Sequence, residues 1–136
     1  MGLDMYAYAA ARAGQYAEFW DTAERVQGTD EFVSASVGRP REIMYWRKHP
    51  NLHGWFKAEW ESEGNSGSFN GDELEITWDM LERLEYDIRN GDLPPTQGFF
   101  FGDNADADYR EQDLEFIRLA RAELFMGLRV FYNSSW

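Results

Sequence analysis

Eight carboxylates give this chain its most distinctive chemistry: Asp79, Glu82, Glu85 and Asp87 in one segment, and Asp106, Asp108, Glu111 and Glu115 in the next. On a helix, acids spaced by three, four or seven residues lie about 5 to 10 Å apart, comparable with phosphates along one nucleic-acid strand. A surface of that kind can occupy the basic groove of a nucleic-acid-binding protein, so these eight are the candidate partner-binding residues. The ordinary reading is a solvated helix face, helped by acids near helix N-termini, where the dipole favours them. A third reading pairs Asp79 or Glu82 with an acid of the second segment as acid and base on a sugar or nucleotide.

Other constellations carry less. Asn104, Asp106, Asp108 and Glu115 fall at positions one, three, five and twelve of a calcium loop, but Tyr109 stands where the sharp turn wants glycine. His49 and His53 have metal-ligand spacing if helical, yet Pro50 intervenes and the chain has no third histidine. Ser134, His53 and an acid could be assembled on paper into a triad, but no nucleophile elbow is present. Tyr45-Trp46-Arg47-Lys48 through Trp55-Phe56-Lys57 and Trp60 interleaves rings with cations, as base-stacking surfaces do. The protein's overall negative charge opposes that use, and core packing under Lys and Arg stems is the better reading. No catalytic residue, metal ligand or cofactor site is therefore assigned.

The chain has 136 residues, 13 Lys and Arg against 25 Asp and Glu, and a net charge of −12. This argues against direct gripping of nucleic-acid phosphates. The charge is uneven: residues 72 to 115 hold fourteen acids and three bases, whereas residues 116 to 136 hold one acid and three bases. There is no cysteine, which excludes disulfides, thiolate nucleophiles and Cys-ligated metals. No stretch approaches a membrane span and no basic leader opens the chain, so a cytoplasmic protein is expected.

Several elements should position these groups. Leu3, Met5 and Ala7 alternate with Asp4, Tyr6 and Tyr8, the period of a half-buried strand. Gln15 to Val26 has helical spacing, and Pro50 suits the first turn of a helix through Trp60. Leu74 to Ile76 reads as a short strand. Thr77 is then an N-cap for a helix over Trp78 to Asn90, stopped by Gly91. That helix turns Met80, Leu81, Leu84 and Ile88 inward and Asp79, Glu82 and Tyr86 outward. Gly98 to Phe101 reads as a core strand, and a second long helix opens at Asp106 or Asp108 and runs to about Met126. Phe116, Ile117, Ala120 and Leu124 face inward along it. Leu128 to Tyr132 closes the chain as a strand.

The blocks MGLDMYAY, EIMYWRKHPNLHGWF, PPTQGFFFG and FYNSSW resemble a family of small proteins of bacteria and their phages, for which no chemistry is established. The resemblance implies a compact α+β fold and a phage setting, and it supplies no site residues.

The expected fold is one α+β domain over residues 1–136. A small antiparallel sheet, built from the N-terminal, Gly98 and C-terminal strands, packs against two long helices with shorter helices beside them. The expected function is that of a non-enzymatic acidic interaction protein, a phage-type inhibitor that blocks a host defence or nucleic-acid-binding protein by nucleic-acid mimicry. The alternatives are a small carboxylate-dependent enzyme and an aromatic-pocket ligand binder near Trp46 and Trp55. A convex acidic face favours the first, and a concave pocket of convergent carboxylates with perturbed pKa values favours an enzyme.

Overall fold

A computed structural model describes residues 2–11, 13–14, 40–96 and 106–136, with 106–108 described by backbone alone. The alternation at the N-terminus forms strand β1 (Asp4–Ala10). Leu3, Met5 and Ala7 are fully buried against the main core, while Tyr8 and Ala10 are buried with Phe131 on the opposite face of the sheet. β1 is flanked by β2 (Arg41–Arg47) and β4 (Arg129–Ser135), and β3 (Leu74–Ile76) pairs with the far side of β4. All pairings are antiparallel, and the strand order is β2-β1-β4-β3.

The expected α+β class holds, but the composition of the sheet is corrected. Its two outer members in the described sheet are Arg41–Arg47, shortly before Pro50, and Leu74–Ile76, a strand as expected. The expected strand at Gly98 to Phe101 and the expected helix at Gln15 to Val26 lie outside the described residues. β2 breaks the period of two: Ala7 pairs with Met44 and Tyr8 with Glu42, which leaves Ile43 as a bulged extra residue.

Among the described residues, three helices cover one face of this sheet. α1 (Pro50–Ser62) has Pro50 in its first turn, where the missing N–H costs nothing. α2 (Trp78–Asn90) starts as expected: the Met80 N–H donates to Thr77 Oγ1 at 3.2 Å. It ends at Gly91, whose φ of 69° is the left-handed cap that favours glycine. α3 (Asp106–Phe125) is the longest helix. Met80, Leu81, Leu84 and Ile88 of α2 meet Phe116, Ile117 and Ala120 of α3 in the core, under the sheet residues Met5, Ala7, Trp46, Leu74, Ile76, Val130 and Tyr132. Leu124 is partly buried against the same cluster. Large rings fill the layer between helices and sheet: Phe56 stacks on Tyr132 at 4.2 Å between centroids, and Trp46 meets Phe116 edge-on at 5.0 Å. Among the described residues no helix is long and apolar enough to cross a membrane.

α1 also seats the chain that follows α2. The Thr96 N–H donates to Asn51 Oδ1 at 2.8 Å, and the Thr96 side chain lies directly against Gly54. A Cβ on Gly54 would sit 1.9 Å from Thr96 Oγ1 and 2.9 Å from its Cβ. Gly54→Ala gains about 1 kcal/mol of helix propensity, but the overlap should cost about 1 to 3 kcal/mol. Net destabilisation is expected in a denaturant melt. Restoration by Thr96→Gly in the same chain would confirm the cause, and a more stable G54A variant would refute it.

Candidate functional site

The amphipathic pattern of α2 places its acids on the outer surface, and the fold then gives each one a partner. Asp79 and Arg83 form an ion pair at 3.0 Å one turn apart. Arg83 also bonds Glu59 of α1, and its guanidinium carbon lies 5.8 Å from the centre of the Trp55 ring. The Trp55 indole N–H donates to Asp87 at 2.8 Å, and the Trp78 indole N–H donates to Glu82 at 3.1 Å. Asp79, Glu82, Arg83, Tyr86 and Asp87 line one shallow, open depression of about 390 Å³. Three of the expected carboxylates thus converge there.

Glu85, Glu111 and Glu115 do not line the depression. Glu85 points to α3, where it accepts from Arg121 at 3.0 Å as well as from Arg89 of its own helix. Glu115 is exposed and bound by Arg118. Glu111 is exposed on the same helix. Asp106 and Asp108 lie in the first turn of α3, with side chains outside the described set. α2 and α3 together carry ten carboxylates, of which Asp113 and Glu123 are buried, against five guanidinium groups. The surface is therefore acidic but threaded with arginine, a weaker field than the segment count alone suggested.

These ion pairs decide what the acids can do. Arg89, and then Arg121, hold the Glu85 carboxyl below the usual carboxylate range, and Arg118 does the same for Glu115. A general acid requires the opposite shift, produced by burial or a neighbouring like charge. Glu85 and Glu115 are thus held in the ionised form.

The histidine pair separates. His49 Nε2 donates to Asp113 Oδ2 at 2.7 Å, and the Trp46 indole N–H donates to the other oxygen of the same carboxylate at 2.9 Å; all three side chains are buried. Tyr109 stacks on His49 at 4.2 Å, and its hydroxyl donates to the Arg47 carbonyl at 2.7 Å. His53 faces the other way, with Nδ1 2.7 Å from the Tyr132 hydroxyl. Ser134 donates to the Phe69 carbonyl, so the paper triad is not assembled. The calcium-loop pattern is overridden by α3, which makes residues 106 to 115 helical. Among the described residues no cluster of three potential metal ligands occurs. Trp46, Trp55, Phe56 and Trp60 are in the core, which leaves Tyr45, bonded to Asp4, as the exposed ring of that segment.

Burial, with Lys57 adding a smaller effect, lowers the His53 pKa from 6.5 to about 4. Unfolded, this imidazole takes up a proton near pH 6.5; folded, it resists until about pH 4. Its contribution is present above pH 6.5 and lost as pH falls through that window, amounting to about 3 kcal/mol at most. Denaturant melts between pH 7 and 4.5 should show this slope, and His53→Gln should flatten it. An unchanged slope in that variant would assign the effect elsewhere.

Asp113 escaped the sequence reading, although a signal was there. It stands three and four residues before Phe116 and Ile117, on the buried stripe of α3, where a carboxylate must have partners. The contacts of Arg83 with Glu59 and Trp55 gave no such signal, because they join helices far apart in sequence. Set against family models, curated proteins and solved structures, the chain matches none of them.

Proposed function

We propose that this is a non-enzymatic acidic interaction protein whose α2–α3 surface occupies the basic groove of a nucleic-acid-binding protein, in the place of a phosphate backbone. One observation carries the reading: the depression on which Asp79, Glu82 and Asp87 converge is shallow and open, and each of these carboxylates is already bonded to Arg83, Trp78 or Trp55. The lowered carboxyls of Glu85 and Glu115 agree with it, since an ionised surface is what a cationic groove selects. An inhibitor of the phage type, acting in the cytoplasm on a host defence or nucleic-acid enzyme, is the setting that fits such a surface.

The test is a variant neutralised at Asp79, Glu82, Glu111 and Glu115. Partners are captured on the wild-type chain and identified, and their affinities are measured over a salt series with and without competing DNA. The neutralised chain should lose orders of magnitude in affinity, because it removes four carboxylates, leaves Arg118 without Glu115 and leaves Arg83 with Glu59 alone. Its melting temperature should stay within a few degrees, since exposed ion pairs contribute little. A partner whose binding ignores salt, DNA and all four residues would refute the proposal.

A further inference from the structure

Among the described residues, the large apolar or aromatic side chains left exposed are Tyr45, Trp78, Tyr86, Phe125 and Met126. Tyr45 is tied to Asp4 by a hydrogen bond of 2.6 Å. The other four belong to α2 and the end of α3. Phe125 is 87% and Met126 63% exposed, well beyond what a half-covered core residue shows. They stand where the dipole of α3 favours cations, and its last turn has none. Trp78 opens α2, and the guanidinium carbon of Arg121 lies 5.6 Å from the centre of its ring. Arg121 is four residues before Phe125, so the two share one face of α3. The Glu82 carboxylate holds the indole N–H, which fixes the ring's orientation before any partner arrives.

We infer that Trp78, Phe125 and Met126 form the apolar anchor of the interface, and that they enter an apolar pocket set in a cationic protein surface. The inference rests on the acidic-surface reading and names the contact that would give it affinity. Charge complementarity selects the occupant. Asp79 and Glu82 lie within four residues of Trp78, and the chain as a whole carries −12. Two copies meeting here would bring together like charges, so a second copy of this chain is disfavoured. A rigid aromatic anchor beside an adaptable methionine, rimmed by charge, is the composition in which few residues hold most of the binding energy.

Two peptide probes separate the anchor from the charge: an amphipathic lysine–leucine helix, and a lysine–serine peptide of the same length and charge. The lysine–leucine peptide should bind the wild-type chain at least about tenfold more tightly. A chain carrying Phe125→Ser and Met126→Ser, whose exposure predicts an unchanged melt, should lose that advantage and keep its affinity for the lysine–serine peptide. The fourfold neutralised chain should lose affinity for both. Equal affinity of the two peptides for wild type, or an advantage that survives the serine changes, would overturn the anchor. Indifference of lysine–serine binding to the neutralised residues would instead overturn the acidic-surface reading. Concentration-dependent dimerisation in sedimentation, abolished by Phe125→Ser, would assign the patch to self-association and also overturn the inference.

Discussion

Replacing Asp113 with alanine should lower stability by about 3 to 5 kcal/mol, the range found when one partner of a buried charged network is removed. The carboxylate sits where the indole of Trp46 and the imidazole of His49 converge, with every member about 1% exposed. Alanine removes the acceptor from both contacts and leaves a cavity, while water has no easy route in. Asp113→Asn is the informative companion. Its amide oxygen can still accept from Trp46, and its NH2 can donate to a histidine that changes tautomer, so a much smaller loss is expected. Thermal melts should show a drop of roughly 10 to 20 °C for alanine and clearly less for asparagine. Equal drops would mean that the charge, not the hydrogen-bond geometry, is what the core requires. A negligible drop for alanine would show that the network contributes nothing.

Leu84→Asp should abolish folding, whereas Glu82→Gln, two residues away, should melt almost as wild type does. Leu84 is fully buried among the helix and sheet residues of the main core. An aspartate there has no cation to meet and must either ionise in an apolar site or take up a proton, at a cost of several kcal/mol, which is comparable with the whole stability of a domain this size. Glu82 is exposed, and glutamine preserves an oxygen for the Trp78 indole. Circular dichroism of the two variants decides the matter. Similar melting curves would mean that the inner and outer faces of α2 had been exchanged.

α2 was fully legible in advance because its cap, its stop and its apolar stripe agree: Thr77, Gly91 and the series Met80, Leu81, Leu84, Ile88 point to one helix in one orientation. β1 was legible for the same reason, through the alternation of Leu3, Met5 and Ala7. β2 was not. Ile43 and Met44 are both partly buried and both pack on the core, because the bulge displaces one residue, and that erases the alternation by which strands are recognised. α1 was partly hidden by Asn51 and His53, polar residues on its buried side whose partners lie on Thr96 and Tyr132. Within the candidate site, the residue types were visible and their pairing was not. That Arg83 would bridge Asp79 and Glu59, or that Arg121 would reach Glu85, depends on how helices pack, which spacing within one helix does not encode.

The strand order bears on how the chain is made. β4 lies inside the sheet between β1 and β3, and in the described sheet β3 has no other neighbour. As the ribosome extends the chain, β1 and β2 can pair early, but β3 has no strand to join until residues 129–135 emerge from the exit tunnel. Met5, Ala7 and the apolar face of α2 lack their full cover until then. High sequence separation between β1 and β4 also makes closure a slow step, with a large loop to order before the contacts form. The core consequently stays open until β4 is available, and its insertion between β1 and β3 is the event that permits closure.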